Sequence, residues 1–205
     1  MILETEKLKL RPIMATDAED IFEYAKDEET GPRAGWPPHK TIEDTKQIID
    51  MWLNPNNAEK NFAIIYNSNK KVIGTIGITK MNNETIINLN KKLEKENINY
   101  INAILNEEKS IYEIGITLSR VYWNKGLATE ALYDIIEYLF SQLKADIVLT
   151  LHYEANIGSK RIQEKNNMKV LGAFTKDVPW FNTDCSTMVV RYKTNEQWQN
   201  EKINC

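Results

Sequence analysis

Residues 111–143 read as a strand, a short loop and a helix in immediate succession, and this segment constrains the fold more than any other. Ile111 to Leu118 alternates with the two-residue period of a β-strand. A polar loop, 119–125, follows. From Ala128 to Leu143 apolar residues recur at three- and four-residue steps, which is typical of a helix packed on a sheet. The segment therefore predicts a strand that passes directly into a buried helix.

Gly126 stands at the junction of this predicted strand and helix. Glycine has no Cβ, so its backbone can approach another molecule closely. The first N–H groups of a helix lack intrahelical acceptors and lie at the positive end of its dipole, which suits an anion such as phosphate. A plain strand–turn–helix would also use a glycine here, because one glycine is weak evidence. Spacing alone leaves both interpretations open.

The junction resembles the acetyl-CoA-binding segment of the GNAT acyltransferases, in particular the ribosomal-protein-alanine N-acetyltransferase-like branch. Glu113 to Leu118 matches that family's strand E-I-G-x-x-L, and Trp123 to Ala131 matches W-x-K-G-x-A-T-E-A. Gly126 and Ala128 fit the family's core pattern Q/R-x-x-G-x-G/A, although Trp123 stands where Gln or Arg is usual. The resemblance implies an α+β, three-layer α/β/α fold with a central mixed, mostly antiparallel sheet, and acetyl-CoA-dependent N-acetyltransferase activity.

The resemblance also implies which residues hold acetyl-CoA. Backbone N–H groups of the loop and the first helical turn would bind the pyrophosphate, and the pantetheine arm would lie along the strand. The family's helix N-x-x-S-x-R-x-x-x-K, matched by Asn156 to Lys165, adds an Asn near pantetheine or substrate. The implied cofactor-binding residues are Ile116, Leu118, Asn124, Lys125, Gly126, Leu127, Ala128, Thr129 and Asn156.

Composition excludes several other classes of protein. A chain of 205 residues with 42% hydrophobic content fits one globular domain, residues 1–205. A net charge of −3 with no long block of Lys or Arg argues against a nucleic-acid binder. Two cysteines and two histidines make a metal site improbable. Because no apolar leader or membrane-length segment is seen, we expect a soluble, cytoplasmic protein that does not bind membranes.

Local signals in the first third of the chain predict short elements. Leu8 and Leu10 mark a first strand, and Thr16 is predicted to cap a short helix. Residues 30–40 contain two glycines and three prolines, which predicts a constrained loop. Thr41 is predicted to cap a second helix.

Residues 81–110 form an Asn-, Lys- and Glu-rich stretch that the family pattern does not require. Their thin apolar periodicity predicts one or two helices. We expect an insertion peripheral to the core, acting as a solvated decoration, a contact in a homodimer, or a lid over the substrate.

Acyl transfer to an amine needs a base for the amine, a donor for the thioester oxygen and an acid for the thiolate. Glu113 is the predicted base, because it is an acidic residue in an apolar strand on the same face as Gly115. A structural carboxylate paired with Arg120 or Lys125 is the alternative. The resemblance implies the N–H near Leu118 as the oxygen donor.

Ser159 is the predicted acid. Many relatives carry a tyrosine seven residues after the helix Asn, and here that position is Gln163. The family's Ser lies near the thiol, so Ser159 is the remaining hydroxyl. The alternative is a hydroxyl that only satisfies backbone N–H groups at the helix start.

Predicted contacts to the acceptor amine come from three places in the chain. Trp36 and His39 lie in the proline-rich loop, Tyr153 ends the strand before Asn156, and Trp180 lies between the last two strands. Packing is an equally valid explanation for each. The competing functions are an N-acetyltransferase acting on a protein N-terminal or small-molecule amine, a non-catalytic acyl-CoA-binding regulator, and an interaction domain.

Overall fold

The computed structural model describes residues 2–93, 98–106, 108–176 and 186–203. The strands are β1 (Leu3–Glu4), β2 (Leu8–Pro12), β3 (Glu59–Tyr66), β4 (Val72–Lys80), β5 (Ile111–Leu118), β6 (Ile147–Tyr153), β7 (Lys169–Lys176) and β8 (Ser186–Thr194). The helices of these ranges are α1 (Ala18–Ala25), α2 (Thr30–Ala34), α3 (Ile42–Leu53), α4 (Asn83–Leu93), α5 (Ile98–Ile104), α6 (Leu127–Ser141), α7 (Ile157–Lys165) and α8 (Asn195–Ile203).

The strands form one sheet in the order β1-β2-β3-β4-β5-β6-β8-β7. β5 and β6 are parallel, with Ile111 opposite Ile147 and Ile114 opposite Thr150, whereas β6 and β7 each pair with β8 antiparallel. A parallel pair needs a crossover connection, which α6 supplies. The predicted α+β fold with a mixed, mostly antiparallel sheet is confirmed.

The chain divides into two compact units, and the first contains residues 2–78 and 115–134. Its hydrophobic cluster joins α1 and α3 to strands β3 and β4 through Ile21, Ile49, Ala63 and Val72. Helix α3 begins as predicted, because the Thr41 hydroxyl accepts the Asp44 N–H at 3.3 Å.

Two local predictions for this unit are wrong. Asp17, not Thr16, organises the turn before α1: its carboxylate accepts the Met14 N–H at 2.8 Å and pairs with Arg11 at 2.6 Å. The loop predicted for residues 30–40 begins with helix α2 and turns only at Gly35, which has φ 94°. The turn at Asp17 does not depend on a local sequence signal alone, because Arg11 reaches Asp17 from the preceding strand.

The second unit contains the described parts of 79–114 and 135–203. Its hydrophobic cluster consists of side chains from α4, the α5 region and strands β5 to β8: Met81, Ile86, Leu89, Leu93, Ile101, Leu105, Ile111, Ile147, Leu149, Leu171, Val190 and Tyr192. The 81–110 segment is therefore packed on the sheet and differs from the peripheral insertion expected from its polar composition. A narrow apolar stripe suffices because the strands supply the opposite surface.

The other side of β8 in this unit is polar. Lys193 and Arg191 are almost fully buried and donate to the carbonyls of Asn166 and Met168, both at 2.9 Å. Each cation also pairs with a carboxylate, Glu201 at 2.6 Å and Glu164 at 2.9 Å respectively. Cations are favourable at the C-terminal end of a helix, here α7, so this face of the strand is held by charge and not by apolar contact.

Two adjacent isoleucines of α4 test the packing of the 81–110 segment. Ile86 is 1% exposed and Ile87 is 38% exposed. We expect Ile86→Ala to lower the free energy of unfolding by about 2–5 kcal/mol, because it removes buried contacts and leaves a cavity. Ile87→Ala is the matched control, and its effect should stay within about 0.5 kcal/mol. Urea unfolding followed by circular dichroism gives both values, and equal losses would contradict the packing described here.

Candidate active site

The turn from β5 into α6 has two residues in the left-handed region of backbone space. Asn124 has φ 59° and Gly126 has φ 79°. The Glu130 N–H donates to the Gly126 carbonyl at 3.0 Å and begins the 15-residue helix α6. A left-handed residue among right-handed ones turns successive N–H groups toward one side, which forms an anion-binding concavity at the positive end of a helix.

Gly126 is needed for this turn in two ways. Non-glycine residues are strained at positive φ, and asparagine is among the few that tolerate it, as at 124. A Cβ built on Gly126 would meet no atom within 4 Å, so the space beside the backbone is open. A positive helix end with an open approach fits the pyrophosphate of coenzyme A.

The side chains around the turn fix its position. The Trp123 indole N–H donates to the Leu118 carbonyl at 2.7 Å, which attaches the loop to the end of β5. The Lys125 ammonium lies 5.1 Å from the centre of the Tyr122 ring. The Glu130 carboxylate accepts the hydroxyl of Thr5 and the N–H of Lys7, the latter at 3.2 Å. Trp123 thus has a structural contact at the position where Gln or Arg is usual.

Glu113 is half-buried on β5, where it lies opposite Leu149 in the ladder with β6. Two residues further along β5, Gly115 is exposed, and a Cβ there would meet nothing within 4 Å. The space that the sequence predicted beside Gly115 is therefore present. Arg120, one of the two cations considered as structural partners of Glu113, forms its ion pair with Asp27 at 2.7 Å.

Helix α7 begins at the predicted Asn–Ser motif. The Asn156 side chain accepts the Ser159 N–H at 3.1 Å, so Asn156 is the N-cap. Gln163, 2% exposed, donates from Nε2 to the Ser159 hydroxyl at 3.1 Å. The sequence identifies Gln163 only as the position where many relatives carry a tyrosine. The i, i+4 spacing of Ser159 and Gln163 is the sequence signal for their contact, because it places the two residues on one helix face.

Two buried groups of β6 lie near this motif in the sequence. Burial lowers the pKa of His152, and the nearby Arg191 lowers it further. His152 is therefore neutral at pH 7. Burial raises the pKa of Tyr153, which keeps its phenol protonated.

The predicted acceptor residues of the first unit form a packed group. The rings of Trp36 and His39 are 5.2 Å apart, and His39 Nδ1 lies 2.8 Å from the hydroxyl of buried Thr45. Burial lowers the pKa of His39. Trp180 lies outside the described residues. The turn residues, Trp36 and His39 belong to the first unit, whereas Glu113, Tyr153, Asn156 and Ser159 belong to the second.

Residues 7–169 match the sequence profile of the family described as "Acetyltransferase (GNAT) domain". The chain belongs to the GNAT acetyltransferase family. It is 27% identical over 181 residues to the uncharacterized N-acetyltransferase YnaD of Bacillus subtilis, covering 87% of this chain and 89% of that protein. GNAT proteins use acetyl-CoA as acyl donor, so this chain is an acyltransferase by family.

Solved structures of GNAT proteins share the fold. An acetyltransferase from Bacillus anthracis superposes with a TM-score of 0.73 at 24% identity, over 96% of this chain and 99% of that one. The ribosomal-protein-S5-alanine acetyltransferase of Vibrio fischeri gives 0.69 at 18% identity, over 97% and 98%. The spermidine N-acetyltransferase of Vibrio cholerae, solved with CoA and spermine, gives 0.72 at 15% identity, over 96% and 100%.

The described residues lack two other kinds of feature. They contain no group of three or more His, Cys, Asp or Glu side chains placed to hold a metal ion. None of their helices has both the length and the apolar character needed to cross a membrane.

Paired substitutions in the turn test whether its backbone binds acetyl-CoA. We expect Gly126→Ala to weaken acetyl-CoA binding about tenfold or more, because positive φ costs a non-glycine residue about 1–2 kcal/mol and the turn will shift to relieve it. Asn124→Gly keeps the left-handed backbone and removes only a side chain, so its affinity should stay within about twofold of wild type. Calorimetric titration measures both, with melting temperatures as a check of folding. Wild-type affinity in folded Gly126→Ala would contradict the backbone site.

Proposed function

We propose that this GNAT protein transfers the acetyl group of acetyl-CoA directly to a primary amine. The observation that carries the proposal is the left-handed turn at Asn124 and Gly126, open on one side and followed by a 15-residue helix. Backbone N–H groups from Asn124 to Thr129 would hold the pyrophosphate. Pantetheine would lie along Ile116 and Leu118, near Asn156.

In the proposed reaction, the amine nitrogen bonds to the carbonyl carbon of the thioester and the carbon–sulfur bond breaks. Glu113, directly or through a water molecule, takes the proton that the amine loses. The N–H of Leu118 donates to the thioester oxygen as its negative charge grows. Ser159 gives a proton to the departing thiolate. Trp36, His39, Tyr153 and Trp180 are proposed to contact the acceptor.

The proton affinity of Glu113 bears on the class of amine. A glutamate with the unperturbed pKa of about 4.3 would be a weak base for an ammonium. Moving a proton to it costs about 5 kcal/mol from an α-amine and about 8 kcal/mol from a lysine-type amine. A weakly basic acceptor, such as a protein N-terminal amine, is therefore the preferred proposal over an alkylamine. The two acceptor types correspond to those named for the Vibrio neighbours, the S5-alanine and spermidine enzymes.

Gln163 supports the role proposed for Ser159. Its amide N–H points at the serine oxygen, so the serine hydrogen is available to another acceptor. The same N–H stabilises the negative charge that grows on the oxygen as the proton leaves. This contact gives a serine some of the acidity that the tyrosine of many relatives has intrinsically.

A catalytic enzyme and a non-catalytic acyl-CoA-binding regulator differ in one measurement. Both would bind acetyl-CoA, but only the enzyme releases free thiol when an amine is added. A thiol-detecting assay over a panel of N-terminal peptides and polyamines tests the proposal. Acetyl-CoA binding without amine-dependent thiol release would favour the regulator.

The base is tested by the pH dependence of Glu113→Gln. We expect the variant to lower kcat about a hundredfold at pH 7, within the range for general acid–base catalysis, with little change in acetyl-CoA affinity. The loss should shrink as pH rises through the pKa of an α-amine, about 7.7–8.0, because the amine then loses its proton to solvent. Glu108→Gln, which changes an exposed carboxylate of the same unit, is the control. Full activity of Glu113→Gln at pH 7 would make the carboxylate structural.

The acid is tested through the direction of one hydrogen bond. We expect Ser159→Ala to lower kcat at all pH values, because it removes the proton donor for the thiolate. Gln163→Glu has nearly the same shape but accepts instead of donating, so the serine hydrogen turns toward residue 163 and kcat should fall similarly. Gln142→Glu, at an exposed position, controls for the added charge. Unchanged kcat in folded Ser159→Ala would remove Ser159 from the mechanism.

A further inference from the structure

Asp27 connects two segments of the first unit that are far apart in the sequence. We call 119–126 the turn segment and 27–40 the loop segment. One carboxylate oxygen of Asp27 accepts the Glu29 and Thr30 N–H groups, both at 3.0 Å, and so begins helix α2. The other accepts from Arg120 Nε at 2.9 Å and Nη2 at 2.7 Å. A single half-buried side chain thus fixes the loop segment and binds the turn segment.

The protonation state of Asp27 suits this role. Burial raises the pKa of its carboxyl, but the N–H groups of Glu29 and Thr30 and the guanidinium of Arg120 lower it more, and the net shift is downward. The carboxylate is therefore ionised at neutral pH and keeps both sets of contacts.

A second contact joins the same two segments. The Arg33 guanidinium lies 5.6 Å from the centre of the Trp123 ring. Trp123 itself donates to the Leu118 carbonyl at 2.7 Å, so the ring is fixed to the end of β5. Arg33 belongs to α2, and a cation over an indole face is attracted by the ring.

Close internal contacts connect helix α2 to the rest of the loop segment. A Cβ on Gly31 would lie 2.5 Å from the Trp36 ring, so helix and ring are in close contact. The Trp36 N–H donates to the Gly31 carbonyl at 3.1 Å, and the His39 N–H donates to the Ala25 carbonyl at 2.9 Å. Trp36 therefore moves with α2, whereas His39 is bonded to α1 and contacts α2 through the Trp36 ring, 5.2 Å away.

We propose that Arg120 and Asp27 are positioning residues that couple acetyl-CoA binding at the turn segment to the order of the loop segment. This rests on the proposed function, since it places acetyl-CoA at the turn. Arg120 lies four residues before Asn124, so a ligand that fixes the turn also fixes the guanidinium. Asp27 then holds α2, and with it Trp36, in the described conformation. A ligand that orders a segment lowers the ordering cost for a second ligand that uses it.

Hydrogen exchange on the full chain tests the coupling without an acceptor. Acetyl-CoA is the probe, and amide exchange in 27–40 is compared with and without it. In the wild type we expect acetyl-CoA to slow exchange across this segment about two- to fivefold, the scale of one ion pair of up to about 1 kcal/mol. Arg120→Gln and Asp27→Asn should bind acetyl-CoA within about threefold of wild type and lose this protection.

Glu23→Gln is the matched control. It breaks the exposed ion pair of the same unit between Glu23 and Lys71, 2.7 Å long, and should keep the acetyl-CoA-dependent protection. Protection retained in folded Arg120→Gln overturns the coupling and leaves the proposed function intact. Failure of the wild type to bind acetyl-CoA overturns the turn as a ligand site, and the coupling with it. Arg120 is not part of α2 and does not begin that helix. Arg120→Gln therefore tests the coupling even if Asp27→Asn fails to fold.

Discussion

The left-handed backbone at Asn124 and Gly126 is the constraint on which the site depends. It ends the loop that follows β5 and turns the first N–H groups of α6 to one side. It also sets the direction of α6, the helix that connects β5 to the parallel strand β6. Because few residues tolerate positive φ, this geometry depends on which residues stand at positions 124 and 126. The remaining contacts of the turn, such as the Trp123 indole on the Leu118 carbonyl, hold it at the end of the strand.

Several polar side chains of this protein position other groups through hydrogen bonds, to neighbours in the sequence or to residues far along the chain. Asp27 begins a helix with one oxygen and binds Arg120 with the other. Asn156 caps α7 by accepting the Ser159 N–H, and Gln163, one turn after Ser159, donates to the serine hydroxyl. The charge-assisted contact of Asp27 with Arg120 is geometrically specific, so it can position the two segments even where its net contribution to stability is small.

In the core of the second unit, a segment of polar composition contributes buried apolar side chains. The 81–110 segment is rich in Asn, Lys and Glu, yet Leu93 and Ile101 are completely buried. Only a few side chains of α4 and α5 face the strands, and that is enough when a sheet provides the opposite surface. A helix pair that covers a sheet face in this way is part of the unit's core and not an attachment to it.

The sequence by itself determined the features that depend on neighbouring residues: the period of β5 and α6, the Thr41 cap and the glycine of the turn. These are local, since strand and helix periods and caps involve residues only a few positions apart. Only the tertiary structure decided the cap at Asp17, the helix within residues 30–40 and the packing of 81–110. Partners on separate elements are involved in each: Arg11 binds Asp17, Arg120 binds the Asp27 that begins α2, and the strands cover α4 and α5, and only folding brings these groups close.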